Sequence, residues 1–299
     1  MQQFLSLATD VAGVRDRLSR MFTEEGRKHG NAYEAGPSDV IIATYPKCGT
    51  TLMQQIVHGL RTGGDMNFAE ITEVVPWLEA SFDIGVDLKA QQKAWPRAFK
   101  SHQAWEEVPK GARYIYILRD PRDAAVSFYH FFEGWYFEPG SIDISTFVNE
   151  FLLAGTKSGK YWSHLNSWWH KRNDADTLML CFEDITTDLS ATVSRVANFI
   201  GLVADAETVE IATHQAGIEF MRKHVSKFDD QPIRSARNII CGVPLGAGSS
   251  KVRTGNSLGR SELTPELRAL YDDIWTAEVV PITGHADYAS LRAELSYSN

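Results

Sequence analysis

The chain has 299 residues, 43% hydrophobic and 23% charged, and its 38 acidic side chains against 30 Lys and Arg leave a formal charge of -8. This is an ordinary globular composition with material for a large core. Its acidic balance excludes a general nucleic-acid binder or a polybasic membrane docker, both of which need surplus positive surface, while leaving local anion sites open. Cys48, Cys181 and Cys241 lie far apart, with neither a disulfide framework nor zinc-type spacing, which fits a reducing, cytoplasmic setting. No basic segment followed by an apolar stretch opens the chain, and no apolar run approaches the roughly 20 residues of a membrane span, so stable membrane insertion is not expected.

In chain order, residues 5–25 place Leu7, Val11, Val14, Leu18 and Phe22 at helical spacing and predict one amphipathic packing helix. Residues 40–45 form a β-rich run, 46–50 interrupt it, and 51–60 return to helical spacing, which reads as strand, loop, helix. A second strand over 97–101 ends at His102. A third over 114–118 runs into Arg119-Asp120-Pro121, where Pro121 suits the first turn of a helix reaching Tyr129. A fourth strand over 177–181 precedes Glu183-Asp184 and a helix over 189–200 that Gly201 can cap. Residues 225–259, with Gly242, Gly246, Gly248, Gly255 and Gly259, read as a long loop of the kind that covers a site.

Continuous apolar strands alternating with helices predict an α/β fold with a central parallel sheet flanked by helices on both faces. Ligands of such sheets sit beyond the carboxyl ends of the strands, so Lys47, His102 and Arg119, each just after a predicted strand, should converge on one edge. No repeat or linker divides the chain, so a single domain over 1–299 is expected, with a core over 38–260 and C-terminal helices over 264–295.

The most informative run is Thr44-Tyr45-Pro46-Lys47-Cys48-Gly49-Thr50-Thr51-Leu52. A tight loop at a helix N-terminus offers backbone N–H groups to an anion, Gly49 lets the backbone approach, and Lys47 with the Thr50 and Thr51 hydroxyls adds charge and donors. This P-loop-like cradle is not the nucleotide-kinase loop, because Lys47 precedes Gly49 instead of following a second glycine. A kinase is therefore disfavoured.

At these residues the chain resembles the cytosolic-type sulfotransferase family, whose 5′-phosphosulfate loop reads Y-P-K-[ST]-G-T-T. Arg119 to Phe131 resembles that family's 3′-phosphate segment, and Lys100-Ser101-His102 its K-[ST]-H strand end. The ordered likeness, extended by the Ser163 to Trp169 run and by Phe182-Glu183-Asp184, spans most of Val40 to Gly255. It implies transfer of a sulfuryl group from 3′-phosphoadenosine-5′-phosphosulfate to a hydroxyl or amine of a small, apolar or aromatic acceptor, with 3′-phosphoadenosine-5′-phosphate as product and no metal. By the same resemblance His102 is the general base, an imidazole being suited to working pH. Lys47 meets the 5′-phosphate and the bridging oxygen, and Lys100 helps hold the sulfuryl group. Cys48, Gly49, Thr50 and Thr51 line the phosphate loop, and Arg119 and Ser127 anchor the 3′-phosphate with Arg253, Thr254 and Gly255.

Several residues depart from the family pattern. Cys48 replaces Ser or Thr, Leu52 replaces Trp, Ile218 stands where an aromatic stacks on adenine, and Thr254 replaces Lys in a C-terminal motif that also lacks its Trp. The family's dimer motif would fall on 260–269, where Pro265 and Ala269 break it, so that dimer mode is not expected and the oligomeric state stays open. These departures motivate an alternative: a catalytically impaired protein that senses the donor or its bisphosphate product. Plainer readings stand beside each residue. Arg119 pairs with Asp120 or Asp123, Cys48 is an inert replacement for Ser and not a reactive thiol, and the aromatics of 128–136 and 162–169 are mostly core. His130, His164 and His214 lack ligand spacing, so no metal is assigned. Residues 68–95 and 225–248 show no pattern that names an acceptor.

Overall fold

Four strands, β1 (Val40–Thr44), β2 (Ala98–Ser101), β3 (Arg113–Leu118) and β4 (Thr177–Cys181), pair in the order β2-β1-β3-β4. Every pairing is parallel. They belong to a computed structural model that describes residues 5–252 and 259–297. Val40 to Thr44 are all buried, because helices cover both faces of the sheet and a β-branched run suits that setting. The period of two then divides the strands between two cores. Ile41, Ala43, Phe99, Tyr116 and Met179 face one of them, and Val40, Ile42, Ala98, Ile117 and Leu180 face the other.

The second core is closed by helix α3 (Thr50–Thr62), given its place after two short N-terminal helices, and by the helices Leu189–Phe199 and Ala206–Ala216. The first is closed by α4 (Pro121–Phe132), by Tyr161–Trp169 and by the C-terminal helices. Here lie most of the aromatics of 128–136 and 162–169, as the packing reading expected. Trp168 is fully buried, stacks on Tyr116 at 4.9 Å between centroids, and donates its indole N–H to the Gln103 carbonyl at 3.2 Å.

The base of the sheet is tied by one buried carboxylate. Asp39 accepts two hydrogen bonds from Arg97, at 2.9 and 2.8 Å, and further ones from the Tyr33 hydroxyl and the Gly36 N–H, both at 2.9 Å. This arrangement locks the entries to β1 and β2 in register, with Ile42 opposite Lys100 and Ala43 opposite Ser101. The carboxyl ends of β1, β2 and β3 therefore finish at one edge.

Two expectations are corrected. The helix predicted over 5–25 is two helices, α1 (Val11–Ser19) and α2 (Glu24–Asn31). Asp10 and Thr23 each accept an N–H of the following turn, at 2.7 and 2.9 Å, and such caps start helices where periodicity alone would continue one. Ahead of α1 the chain is extended, with the Ala8 N–H donated to the Tyr136 carbonyl at 2.9 Å. The long loop expected over 225–259 contains a 3-10 turn, Val225–Phe228, and a helix, Gln231–Arg237, whose Ile233 is buried against the first core. Among the described residues no helix is long and apolar enough to cross a membrane.

Trp168→Ala removes a fully buried indole and its hydrogen bond. It is expected to cost about 3–5 kcal/mol of unfolding free energy, read as a lower urea midpoint at unchanged slope.

Candidate functional site

Beyond Thr44 the backbone turns back on itself to start α3. Lys47 holds a left-handed φ of 70° and Gly49 one of 105°, and Gly49 caps α3 without a side-chain hydrogen bond. The N–H groups of the first turn thus remain directed at the loop, as an anion would require. A non-glycine residue in the left-handed region is strained unless its surroundings hold it there. Arg119 supplies that restraint, donating from Nη1 to the Lys47 carbonyl at 3.0 Å while its guanidinium lies 4.6 Å from the Phe182 ring centroid. The Tyr161 hydroxyl in turn donates to the Arg119 carbonyl at 2.7 Å. The competing reading of Arg119 as a partner of Asp120 is not what the helix start uses. Asp120 caps α4 and accepts from Arg122 and, at 3.1 Å, from Arg260.

Lys47 and Lys100 both sit in desolvated positions over aromatic rings. The Lys47 ammonium is 4.0 Å from the Phe131 centroid and that of Lys100 is 3.9 Å from Trp77. Burial, followed by the like charge of Lys251, lowers Lys47 to about 7 and Lys100 to about 8. His102 lies just past β2. Its Nδ1 donates to the Thr44 carbonyl at 2.9 Å and its ring meets Trp77 edge to face at 5.1 Å. With Nδ1 committed to a carbonyl, Nε2 is the unprotonated nitrogen. Burial, and then the charge of Lys100, hold His102 well below its usual 6.5.

The segment around Trp77, in which the sequence showed no pattern, runs alongside β2. Lys100 donates its N–H to the Pro76 carbonyl at 2.8 Å and accepts from Leu78 at 3.0 Å. It delivers Glu79, whose Oε1 accepts the His102 backbone N–H at 2.6 Å and the Ser101 hydroxyl at 3.0 Å. Burial pushes this carboxyl up to about 7. Glu79 and Trp77 are the site residues that sequence reasoning missed. Only the pairing beside β2 brings them in, and no spacing announces it.

These groups line one cavity of about 840 Å³ along the sheet edge. On the α3 side its wall includes Thr51, Leu52, Phe182, Ile218 and Met221, and Arg119 and Ser127 also face it. On the α4 side the wall combines Met21, Phe22, Phe131, Phe132 and Phe151 with the charged side chains of Arg15, Glu24, Arg27, Glu150 and Lys157. The break between α1 and α2 is what turns Met21 and Phe22 toward this wall. Lys47, Lys100, His102, Gly49 and Thr50 line the same cavity, so the convergence expected from the strand ends is present.

Cys48 behaves differently from its neighbours. Its side chain is fully buried in the core below the loop and its thiol is pushed up to about 12, so it offers the site backbone only and is no reactive thiolate. Thr50 hydrogen-bonds Thr44 through their hydroxyls at 2.6 Å. Arg253, Thr254 and Gly255 lie outside the described residues. On either side of them, Ser249 donates to the His130 carbonyl at 3.0 Å and the Arg260 N–H donates to Asp123 at 2.8 Å, both on α4.

The family model described as "Sulfotransferase domain" matches residues 37–277. A curated zebrafish (Danio rerio) protein, cytosolic sulfotransferase 1, is 30% identical over 216 residues, covering 68% of this chain and 72% of its own. Among solved structures, retinol dehydratase in complex with androsterone and the inactive cofactor PAP superposes with a TM-score of 0.69 at 19% identity, covering 86% of each chain. Mouse sulfotransferase SULT7A1 complexed with PAP gives 0.66 at 20%, covering 93% of this chain and 95% of that one.

At Gly49 a Cβ would stand 2.7 Å from Cδ2 of Phe182 at a φ that side chains rarely adopt. Gly49→Ala is expected to lower stability by about 1–3 kcal/mol, measured by thermal unfolding.

Proposed function

The chain belongs to the sulfotransferase family, and on that premise we propose that it moves a sulfuryl group from 3′-phosphoadenosine-5′-phosphosulfate to a hydroxyl or amine on an apolar or aromatic acceptor in the cytoplasm. The observation that carries this reading is the meeting of Lys47, Lys100 and His102 in one cleft, with His102 held in the tautomer that leaves Nε2 as an acceptor.

In this reading the acceptor O–H or N–H gives its proton to Nε2 of His102 as the acceptor atom attacks sulfur. The bond from sulfur to the bridging oxygen breaks, and the charge that develops on the leaving 5′-phosphate is met by Lys47 and the N–H groups of the first turn of α3. Lys100 holds the sulfuryl oxygens. A base held far below neutrality is a weak one, and the incoming anion counteracts this by favouring the imidazolium. Glu79 fixes the backbone of His102 and so acts as a positioning residue. Arg119 and Ser127, with Arg253, Thr254 and Gly255 by resemblance, take the 3′-phosphate. The slot formed by Leu52, Phe182, Ile218 and Met221 accommodates adenine by apolar contact where the family uses aromatic stacking.

The acceptor class rests on the apolar surface of Phe22, Phe131 and Phe151, which offers burial beside the charged groups of Arg15, Glu150 and Lys157. The androsterone and retinol in complexes of retinol dehydratase, both apolar alcohols, support the same class.

Assay with labelled donor and a panel of phenols, steroid alcohols and aryl amines tests the reading. His102→Ala is expected to lower kcat by roughly a hundred- to ten-thousand-fold with little change in nucleotide affinity. Lys47→Ala is expected to lower both donor affinity and kcat. Full turnover in both variants overturns the assignment. The pH profile supplies a separate check. Lys47, at about 7, and Lys100, at about 8, must be protonated to receive an anion, so kcat/KM for the donor is expected to fall as pH rises through 7 to 8. The bound donor raises both pKa values, so kcat should hold steady over that range.

A further inference from the structure

The sequence reading did not single out Lys251, a largely buried cation that the proposed mechanism leaves unused. Its side chain is only 7% exposed, it pairs with Asp230, and it lies 3.9 Å from Glu70. Lys251 and Asp230 both line the catalytic cavity. Asp230 itself is held in a left-handed backbone at the start of the helix Gln231–Arg237. A purely structural contact is poorly served by this arrangement. Burying an ion pair costs several kcal/mol per ion, and a well-packed apolar pair of the same volume is commonly as stable or more so.

The Lys251 ammonium is the largest influence after burial on both Lys47 and Lys100, and it also acts on His102. Asp230 opposes it at both lysines. Lys251 therefore belongs with the reacting end of the cleft, lining the same cavity as Lys47, Lys100 and His102, with Asp230, Glu70 and Glu79 as the carboxylates nearby. The lysines repel one another and are stabilised by an incoming polyanion.

We propose that Lys251 is a further donor-binding residue, contacting the 5′-phosphosulfate end of the nucleotide together with Lys47 and Lys100, with Asp230 as the residue that positions it. This rests on the reading of the cleft as a donor site. It adds a cation two positions before Arg253, on the segment assigned by resemblance to the 3′-phosphate, but places that cation at the opposite end of the nucleotide.

The test is competition calorimetry at pH 7 with 3′-phosphoadenosine-5′-phosphate, adenosine 5′-monophosphate and adenosine 3′-monophosphate, on the parent protein, Lys251→Met and Lys251→Arg. Lys251→Met is expected to bind the bisphosphate and the 5′-monophosphate roughly tenfold more weakly, the 3′-monophosphate with unchanged affinity, and Lys251→Arg to recover most of the loss. Parent-like affinity of Lys251→Met for all three nucleotides overturns the proposal. So does an equal loss for all three with a lowered thermal midpoint, since that pattern is a structural role. Failure of the parent protein to bind the bisphosphate overturns the donor reading itself and the role of Lys251 with it. A parent that binds beside an unaffected variant removes Lys251 alone.

Discussion

Keeping ammonium groups charged and close together away from bulk water is the constraint on which the rest of this structure depends. Lys47, Lys100 and Lys251 share one cleft, and burial together with the charge of Lys251 favours the neutral forms of Lys47 and Lys100. The surroundings supply two kinds of compensation. Phe131 and Trp77 present ring faces to two of the ammonium groups, and Asp230 and Glu70 place carboxylates beside the third. None of these neutralises the site completely, and a cleft that remains positive and partly desolvated binds an anion more strongly than an exposed lysine cluster would.

The acidic net charge of the chain is compatible with this because the cations are concentrated by topology. Parallel pairing in the order β2-β1-β3-β4 brings the ends of β1, β2 and β3 to one edge, so residues far apart in sequence share a cavity. Asp39, at the opposite end of the sheet, contributes by fixing the register of β1 and β2. A slip there would separate His102 from the Thr44 carbonyl that sets its tautomer. Core packing below the loop and chemistry above it are thereby coupled. Cys48 faces the core and Lys47 the cleft, and the strained backbone at Lys47 is held by Arg119, just after β3, which Tyr161 holds in turn.

The cavity has two characters because its two walls descend from different cores. On the α3 side, a slot of Leu52, Phe182, Ile218 and Met221 adjoins the loop N–H groups, a combination suited to a flat base carrying phosphates. On the α4 side, aromatics meet Met21 and Phe22 from the turn between α1 and α2, and Arg15, Glu24, Glu150 and Lys157 line the cavity with them. In the proposed reading the donor takes the first wall and the acceptor the second, with His102 and the lysines at the boundary.

By itself the sequence determined the parallel sheet, its four strands, the loop with Lys47 and Gly49, and the convergence of Lys47, His102 and Arg119. Each of these depends on local information: apolar runs, glycine placement and the rule that such sheets bind at their carboxyl ends. Periodicity misjudged the N-terminal helix because Asp10 and Thr23 start new helices through side-chain caps that a hydrophobic pattern does not register. It also passed over the helix Gln231–Arg237 in a stretch rich in glycine. What only the tertiary structure decided is which distant residues join the site. Trp77 and Glu79 enter through a short pairing beside β2, and Asp230 and Lys251 come together across some twenty residues of chain with no motif between them. Their role depends on shared burial and charge, which are properties of the folded neighbourhood and leave no spacing in the chain to read.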